Sequence, residues 1–339
     1  MSENAFAAYL RRVAHRESLS ADDAAAAFGE MLTGQAGEMQ MAGFLSALTV
    51  RGPTIDEMVG AARAMRATMK KVQGVPNAID LCGTGGDGHS TLNISTAVSF
   101  VVVGAGVPVA KHGNRNMSSK SGAADVLEAL GVKIDISPEQ ASACLKETGL
   151  CFLFAQAYHP GMKYVGPVRK ALAFRTIFNL AGPLSNPAGV KRQLVGLYAP
   201  ELLENYARVL GSLGTEKAFV VHGSDGMDEI TITGPTHIAK LDKGAVSRIE
   251  VTPEEAGLSP APLTAIKGGE AKENAAALRA LLDGRKNAYR DIVLLNAAAA
   301  LMVADKAKTL REGAGIAAAV IDSGKAGAVL EKLIAASNA

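Results

Sequence analysis

Apolar and polar positions fall into two regimes along the chain. The first seventy or so residues read as helices only. Ser20-Ala21-Asp22-Asp23 is a capping-box-like start for a helix body over 24–31, with Gly34 as its stop. A further helix runs over 38–50 and is ended by Gly52-Pro53. Thr54-Ile55-Asp56-Glu57 is a second capping box and opens a helix toward Met69. Residues 70–76 read as a linker. From residue 78 onward strands and helices alternate, which argues for an α/β domain. A short apolar segment ending at Leu81-Cys82 reads as a buried strand, and 94–103 is an apolar run. A strand follows over 107–110. Ser137-Pro138-Glu139-Gln140 starts a helix that Gly149 ends, and 150–155 is a buried strand. Further strand candidates are 194–198, 218–222 and 292–295, the last equally compatible with helix. The alanine-rich stretch 287–339 is mostly helical, and alanine there indicates close helix packing.

Composition narrows the class. At 339 residues the chain can bury a large core, and 48% hydrophobic with 20% charged residues excludes a disordered protein. A net charge of +2 gives no bulk drive toward nucleic acid or membrane, so positive charge for an anionic ligand must be local. Cys82, Cys144 and Cys151 form an odd set in apolar surroundings with no C-x-x-C spacing, which reads as buried free thiols in a reducing cytoplasm. Met1-Ser2-Glu3-Asn4 is polar and Arg11, Arg12 and Arg16 interrupt the first helix, so no signal peptide is expected. The FVVVGAGVPVA run is too short to span a bilayer and ends at Lys111.

The richest stretch is 80–115, DLCGTGGDGHSTLNISTAVSFVVVGAGVPVAKHGNR. Glycines in Gly83-Thr84-Gly85-Gly86-Asp87-Gly88 let backbone N–H groups approach an anion closely. Asn93-Ile94-Ser95-Thr96 sets hydroxyls beside a helix N-terminus, which offers donors and a positive dipole end to phosphate. Lys111-His112-Gly113-Asn114-Arg115 then places two cations and a histidine at a strand's carboxyl end. Gly83, Gly85 and Gly88 fit the dinucleotide fingerprint, but no acid stands between 100 and 110 to hold a ribose, and Asp87 suits a metal or a ribose better than bare pyrophosphate. The P-loop pattern fails because His89 stands where lysine is required. Ser224-Asp225-Gly226-Met227-Asp228-Glu229 follows an apolar strand, and in a loop both adjacent acids can face a cleft.

GTGGDG with NIST, KHGNR followed by Ser118-Ser119-Lys120-Ser121-Gly122, and RTIFNLAGPLSNP resemble the anthranilate phosphoribosyltransferase family over essentially the whole chain. The resemblance implies an α/β fold with a small N-terminal all-helical domain and a larger α/β domain whose central, mostly parallel sheet is flanked by helices. It sets the helical domain at 1–72, joined by a helical segment from about 165–190, and the phosphoribosyl-binding domain at 77–339. It implies transfer of phosphoribose from phosphoribosyl pyrophosphate to the amine of anthranilate in tryptophan biosynthesis. A cytoplasmic homodimer joined through the helical domain is implied as well, with small-molecule substrates and neither nucleic acid nor membrane as partner.

By the same resemblance Asp228 and Glu229 hold Mg2+, with the Ser95 hydroxyl as a further ligand, and Lys111, Asp87 and His112 form the catalytic set. Phosphoribosyl pyrophosphate would meet Gly83, Gly86, Asp87, Thr91, Asn93, Ile94, Ser95 and Thr96. It would also meet Lys111, His112, Gly113, Asn114, Arg115, Asn116, Met117, Ser118, Ser119 and the position of Ala123. Anthranilate would meet Gly83, Asn114, His112, Tyr158, His159 and Arg169, whose planar guanidinium suits a carboxylate. Arg175 reads as structural. Two departures stand out: KSGAAD has Ala123 where the family usually has serine, which removes one phosphate-facing hydroxyl, and Gly161 replaces the alanine of HPAM, which would loosen that loop.

Three other readings compete. A pyrimidine nucleoside phosphorylase of the same fold would not require the acid pair, and GTGGD with KHGNR argues against it. A non-catalytic nucleic-acid-binding relative would show a basic stripe and degraded loops, whereas here charge is balanced and the loops are intact apart from Ala123. A nicotinamide-dependent oxidoreductase would betray itself by bound-cofactor absorbance.

Overall fold

Four helices come first in the computed structural model, which describes residues 5–115 and 121–339. They are α1 (Ala5–Ala14), α2 (Ala21–Leu32), α3 (Glu38–Arg51) and α4 (Ile55–Thr68). Both expected caps form: Ser20 Oγ accepts from Asp23 N–H at 3.1 Å, and Thr54 and Glu57 bond reciprocally at 3.3 and 2.9 Å. Glu57 is buried yet satisfied, because it also accepts from Leu19 N–H at 2.9 Å and pairs with Arg51.

The chain continues through β1 (Ile79–Gly83), α5 (Ile94–Gly104), β2 (Val109–Gly113), α6 (Ala123–Ala129), α7 (Pro138–Thr148) and β3 (Leu150–Phe154). Short α8 (Ala155–Tyr158), α9 (Met162–Leu172) and α10 (Ile177–Ala181) precede β4 (Arg192–Gly196), α11 (Leu203–Ser212) and β5 (Lys217–Gly223). A hairpin of β6 (Thr236–Asp242) and β7 (Ala245–Val251) leads into α12 (Ala271–Leu282), α13 (Ala288–Val303), α14 (Leu310–Asp322) and α15 (Lys325–Asn338).

Among the described residues the strands form one sheet in the order β3-β2-β1-β4-β5-β6-β7, parallel from β3 to β5 and antiparallel beyond. The sheet separates two cores. Ile79, Leu81, Leu194, Phe219 and Val221 face α5–α7 and α12–α15, whereas Cys82, Val195, Ala218 and Val220 face α1–α4 and α9–α11. Side chains alternate across a strand, so a strand covered on both faces reads as one continuous apolar run. Among the described residues no single helix is long and apolar enough to cross a membrane.

Two expectations change, and one hairpin went unread. The 292–295 segment is helix, inside α13, where Asn287 caps the first turn by accepting from Arg290 N–H at 3.0 Å. Strand β2 begins later than expected and runs through Gly113, so Lys111 and His112 lie within it and not beyond its end. The β6–β7 hairpin carried a readable turn signal: Lys243 and Gly244 have φ of 48° and 85°, as a two-residue hairpin loop requires. The outer strand is mostly exposed, which hid it from an apolar reading.

Candidate functional site

The strand order reverses at β1. Strands β2 and β3 lie on one side of it and β4 onward on the other, with Gly83 paired to Gly196 where β1 and β4 end. Open α/β sheets bind ligands in the crevice beyond such a reversal. The glycine run leaves β1 at this point. Thr84 N–H donates to the Gly196 carbonyl at 2.9 Å, and Thr84 Oγ1 accepts from Tyr198 N–H at 3.0 Å. Gly85, Gly86 and Gly88 have φ of 70°, 78° and 81°, so only glycine folds this turn without strain. Arg175 donates to the Gly86 carbonyl and stacks 4.1 Å from the Tyr198 ring. The arginine read as structural therefore braces the glycine loop.

The acid pair meets the same loop from the far end of the sequence. Asp228 Oδ2 accepts from Gly85 N–H at 2.6 Å. A Cβ on Gly83 would lie 2.5 Å from that oxygen, and one on Gly196 would lie 1.5 Å from the Asp228 carbonyl oxygen. Both strand ends must be glycine for Asp228 to sit there. Burial pushes the Asp228 carboxyl up to about 6, reinforced by Asp87. Burial and then Asp228 push Glu229 up to about 8. Carboxylates and a hydroxyl are hard oxygen donors, and their mutual repulsion is what a divalent cation relieves. Among the described residues no three His, Cys, Asp or Glu side chains are grouped to hold an ion by themselves. A cation here would draw its remaining ligands from Ser95 and from substrate phosphates, the ordinary arrangement for Mg2+.

Lys111 is 3% exposed and its ammonium is committed: it donates to the Leu81 carbonyl and to Ser95 Oγ at 3.0 Å. Burial lowers its pKa, while Asp80, Cys82, Glu229 and Asp228 act the other way. The lysine is thus a buried counter-charge to the acids and not an extended arm into the cleft. Ile79 with Val109 is the recorded β1–β2 pair. Beyond it side chains replace the ladder: Asp80 Oδ1 accepts from His112 N–H at 3.0 Å, and Asn186 Nδ2 donates to the Ala110 carbonyl at 2.8 Å.

Other sequence candidates divide by placement. Thr91 bridges to Lys267, Asn93 Oδ1 accepts from Asn274 Nδ2 at 2.9 Å, and Ser95 is half-buried beside Lys111. Ile94 and Thr96 are each 2% exposed, so their side chains face the interior and only backbone groups at the start of α5 can meet a ligand. Gly113 and Ala123 lie together, because a Cβ on Gly113 would sit 3.6 Å from that of Ala123. Asn114 is exposed. Arg115 bonds Asp125 and Glu128 and lies 5.5 Å from the Phe154 ring, so its charge is already engaged. Asn116, Met117, Ser118 and Ser119 fall outside the described residues.

On the acceptor side Arg169 projects from α9, half-buried, with its guanidinium 3.4 Å from Asn179 Oδ1 and 5.8 Å from the Phe178 ring. His112 and His159 are both buried and face each other Nε2 to Nε2 at 3.2 Å. Burial drives both pKa values down, His159 to about 4. Tyr158, expected to meet anthranilate, presents no side chain to a cleft: it is 0% exposed, with its hydroxyl donating to the Ile136 carbonyl at 3.0 Å. Nor does Gly161 loosen its loop. A Cβ there would meet the Leu32 carbonyl oxygen at 2.6 Å, so glycine permits a close approach.

Sequence reasoning passed over Asp80, Asn186 and Asn296. Asp80 and Asn296 each stand as a polar residue inside an apolar run and Asn186 stands before a proline, but each one's partner lies tens of residues away.

Known proteins resemble the chain over nearly its whole length. Residues 7–69 match the helical bundle domain of the glycosyl transferase family, and 75–327 match that family's a/b domain. Anthranilate phosphoribosyltransferase of Bradyrhizobium diazoefficiens is 57% identical over 327 residues, covering 96% of this chain and 97% of that protein. The crystal structure of the Thermus thermophilus enzyme of that name superposes with a TM-score of 0.93 at 40% identity, covering 98% of this chain and 99% of its own. The Saccharomyces cerevisiae enzyme in complex with PRPP and Mg superposes with a TM-score of 0.91 at 28% identity, covering 99% of each chain.

Proposed function

The chain belongs to the anthranilate phosphoribosyltransferase family, and on that premise we propose that it carries 5-phosphoribose from phosphoribosyl pyrophosphate to the amine of anthranilate in a Mg2+-dependent reaction. The products are pyrophosphate and N-(5-phosphoribosyl)anthranilate. One observation carries the reading: Asp228 is seated on the Gly85 amide between the glycine ends of β1 and β4, with Lys111 bonded to Ser95 beneath.

Each part has a chemical task. Amides of the 83–88 turn and the start of α5 hold phosphate oxygens, and Asp87 holds the ribose. Asp228 and Glu229, with Ser95, would hold the cation. When bound, the cation supplies charge that offsets pyrophosphate as it leaves. Lys111 opposes the upward shift of Glu229 and adds positive potential behind the leaving group. Arg169 grips the anthranilate carboxylate and fixes its amine opposite C1, so attack inverts that centre. An aryl amine is nucleophilic at neutral pH, and the proton it sheds on attack goes to the substrate's own carboxylate. The same reading carries a cytoplasmic homodimer joined through the helical half.

The test is anthranilate fluorescence on mixing with phosphoribosyl pyrophosphate, with and without Mg2+. Mg2+-dependent consumption matched one for one by pyrophosphate supports the reading. Folded protein that consumes no anthranilate overturns it, and phosphorolysis of a pyrimidine nucleoside would put the related phosphorylase in its place.

A further inference from the structure

Helix α13 is apolar over most of its length, and Asn296 sits within it fully buried. Its amide has one acceptor and two donor hydrogens, all used. Oδ1 accepts from Ile230 N–H at 3.0 Å, and Nδ2 donates to the Ile230 carbonyl at 2.8 Å and to the Ile292 carbonyl at 2.9 Å. Two of these bonds therefore leave the helix and clasp both backbone groups of one residue, as a neighbouring strand would. That residue directly follows Glu229. Asn296 also borders the same small enclosed space as Glu229, Ser95 and Cys82.

The loop it clasps also carries bonds of its own. Asp225 Oδ2 accepts from Thr231 Oγ1 at 2.6 Å and from Thr233 Oγ1 at 2.8 Å, and its Oδ1 accepts from Met227 N–H at 3.1 Å. Two further bonds tie the loop to the flanking strands, from Gly223 N–H to the Met227 carbonyl at 2.9 Å and from Thr231 N–H to Thr236 Oγ1 at 3.0 Å. The two-bond tether one residue past Glu229 adds the third side, fixing the backbone of the acid pair against α13. Buried backbone groups left unpaired lose their partners outright, so the tether is stiff.

We propose that Asn296 is a positioning residue for the reaction: by clasping the Ile230 backbone from α13 it aims the Asp228 and Glu229 carboxylates at the cation that accompanies pyrophosphate. This role rests on the functional reading above. It assigns catalytic consequence to α13.

Asn296→Leu keeps the bulk of the side chain and removes all three bonds. In the metal-free protein, hydrogen exchange at the Ile230 amide should rise about tenfold or more above any change in α2–α4. Mn2+ binding in the presence of phosphoribosyl pyrophosphate, followed by electron paramagnetic resonance, should weaken about 10–100-fold. The Michaelis constant for anthranilate should stay within about twofold of wild type, because Asn296 is remote from Arg169. If Asn296→Leu does not fold, Asn296→Ser, too short to span both backbone groups, is read the same way. Unchanged Mn2+ affinity against a wild type that binds, or exchange that rises equally everywhere, overturns the role of Asn296 alone. A wild type that binds no Mn2+ with phosphoribosyl pyrophosphate sinks the functional reading, and the proposal falls with it.

Discussion

An acid pair, Asp228 buried and Glu229 half-buried, and a buried histidine pair stand at the carboxyl ends of neighbouring strands, and desolvation shifts them in opposite directions. Beyond β1 and β4, Asp228 is raised to about 6 and Glu229 to about 8. One strand away, His112 and His159 stand with rings 5.0 Å apart, and burial lowers both, His159 to about 4. The cause is shared, because desolvation disfavours whichever form is charged. The consequence differs. Ionised together, the two carboxylates are acceptors only and cannot satisfy each other, so full ionisation of the acid pair calls for a cation. Two neutral imidazoles in complementary tautomers can share their Nε2 contact and are complete without a ligand. Direction of shift does not by itself identify a ligand site, and the count of donors against acceptors does.

Removing the acids should break the contrast most severely. Asp228→Asn with Glu229→Gln should lower turnover by about 10³ or more and abolish the Mg2+ response, as read by steady-state rates over a metal titration. The same variant tests the electrostatics. A raised carboxyl pKa means the folded chain holds protons that the unfolded chain has released. Metal-free stability must therefore fall as pH rises from the ordinary carboxyl range, about 4, through about 8. In the double amide variant that decline should flatten. A wild-type decline that persists unchanged would move the shifted groups elsewhere.

Arg169→Ala asks whether the acceptor side is separate from the phosphate side. The Michaelis constant for anthranilate should rise about 10–100-fold, the loss of one charged hydrogen-bonded contact, while that for phosphoribosyl pyrophosphate barely moves. The reverse pattern would take Arg169 out of the acceptor site.

The histidine pair gives a smaller effect of the opposite sign. Lowered imidazole pKa values mean the folded chain holds fewer protons, so stability falls as pH drops from about 6.5 toward about 4. Lys111 lies beside His112 and reinforces this. His112→Gln with His159→Gln should flatten urea midpoints between about pH 6.5 and 5, above the range where ordinary carboxylates titrate. Midpoints that still fall by the wild-type amount would assign the effect to other groups.

The mildest change spares both pairs and disturbs only a support. Gly161→Ala should destabilise by about 1–3 kcal/mol through the Leu32 contact, seen as a lower melting temperature. A gain in stability would show that the close approach is not needed.

Local signals were legible because their physics is local. The Thr54–Glu57 box, the Gly52 and Gly149 stops and the glycine turn after β1 each depend on residues within a few positions. The paired-cation expectation at Lys111 and Arg115 failed for the converse reason: what each charge meets, Ser95 and Leu81 for one and Asp125 with Glu128 for the other, depends on how separate elements pack. Tyr158 and Gly161 were misread alike, since burial against Ile136 and Leu32 has no trace in their immediate neighbours.

The amino-acid order thus determined the helix limits, the switch to α/β alternation, the turn chemistry and the oxygen-rich residues offered to a phosphorylated ligand. Tertiary structure alone decided that β1 and β4 become neighbours, and so that Gly85, 143 residues away from Asp228 in sequence, donates to its carboxylate. It also decided that Lys111 turns inward and that Asn296 reaches Ile230. Those outcomes rest on desolvation and on pairing across distant segments, and both exist only once the sheet has closed its two cores.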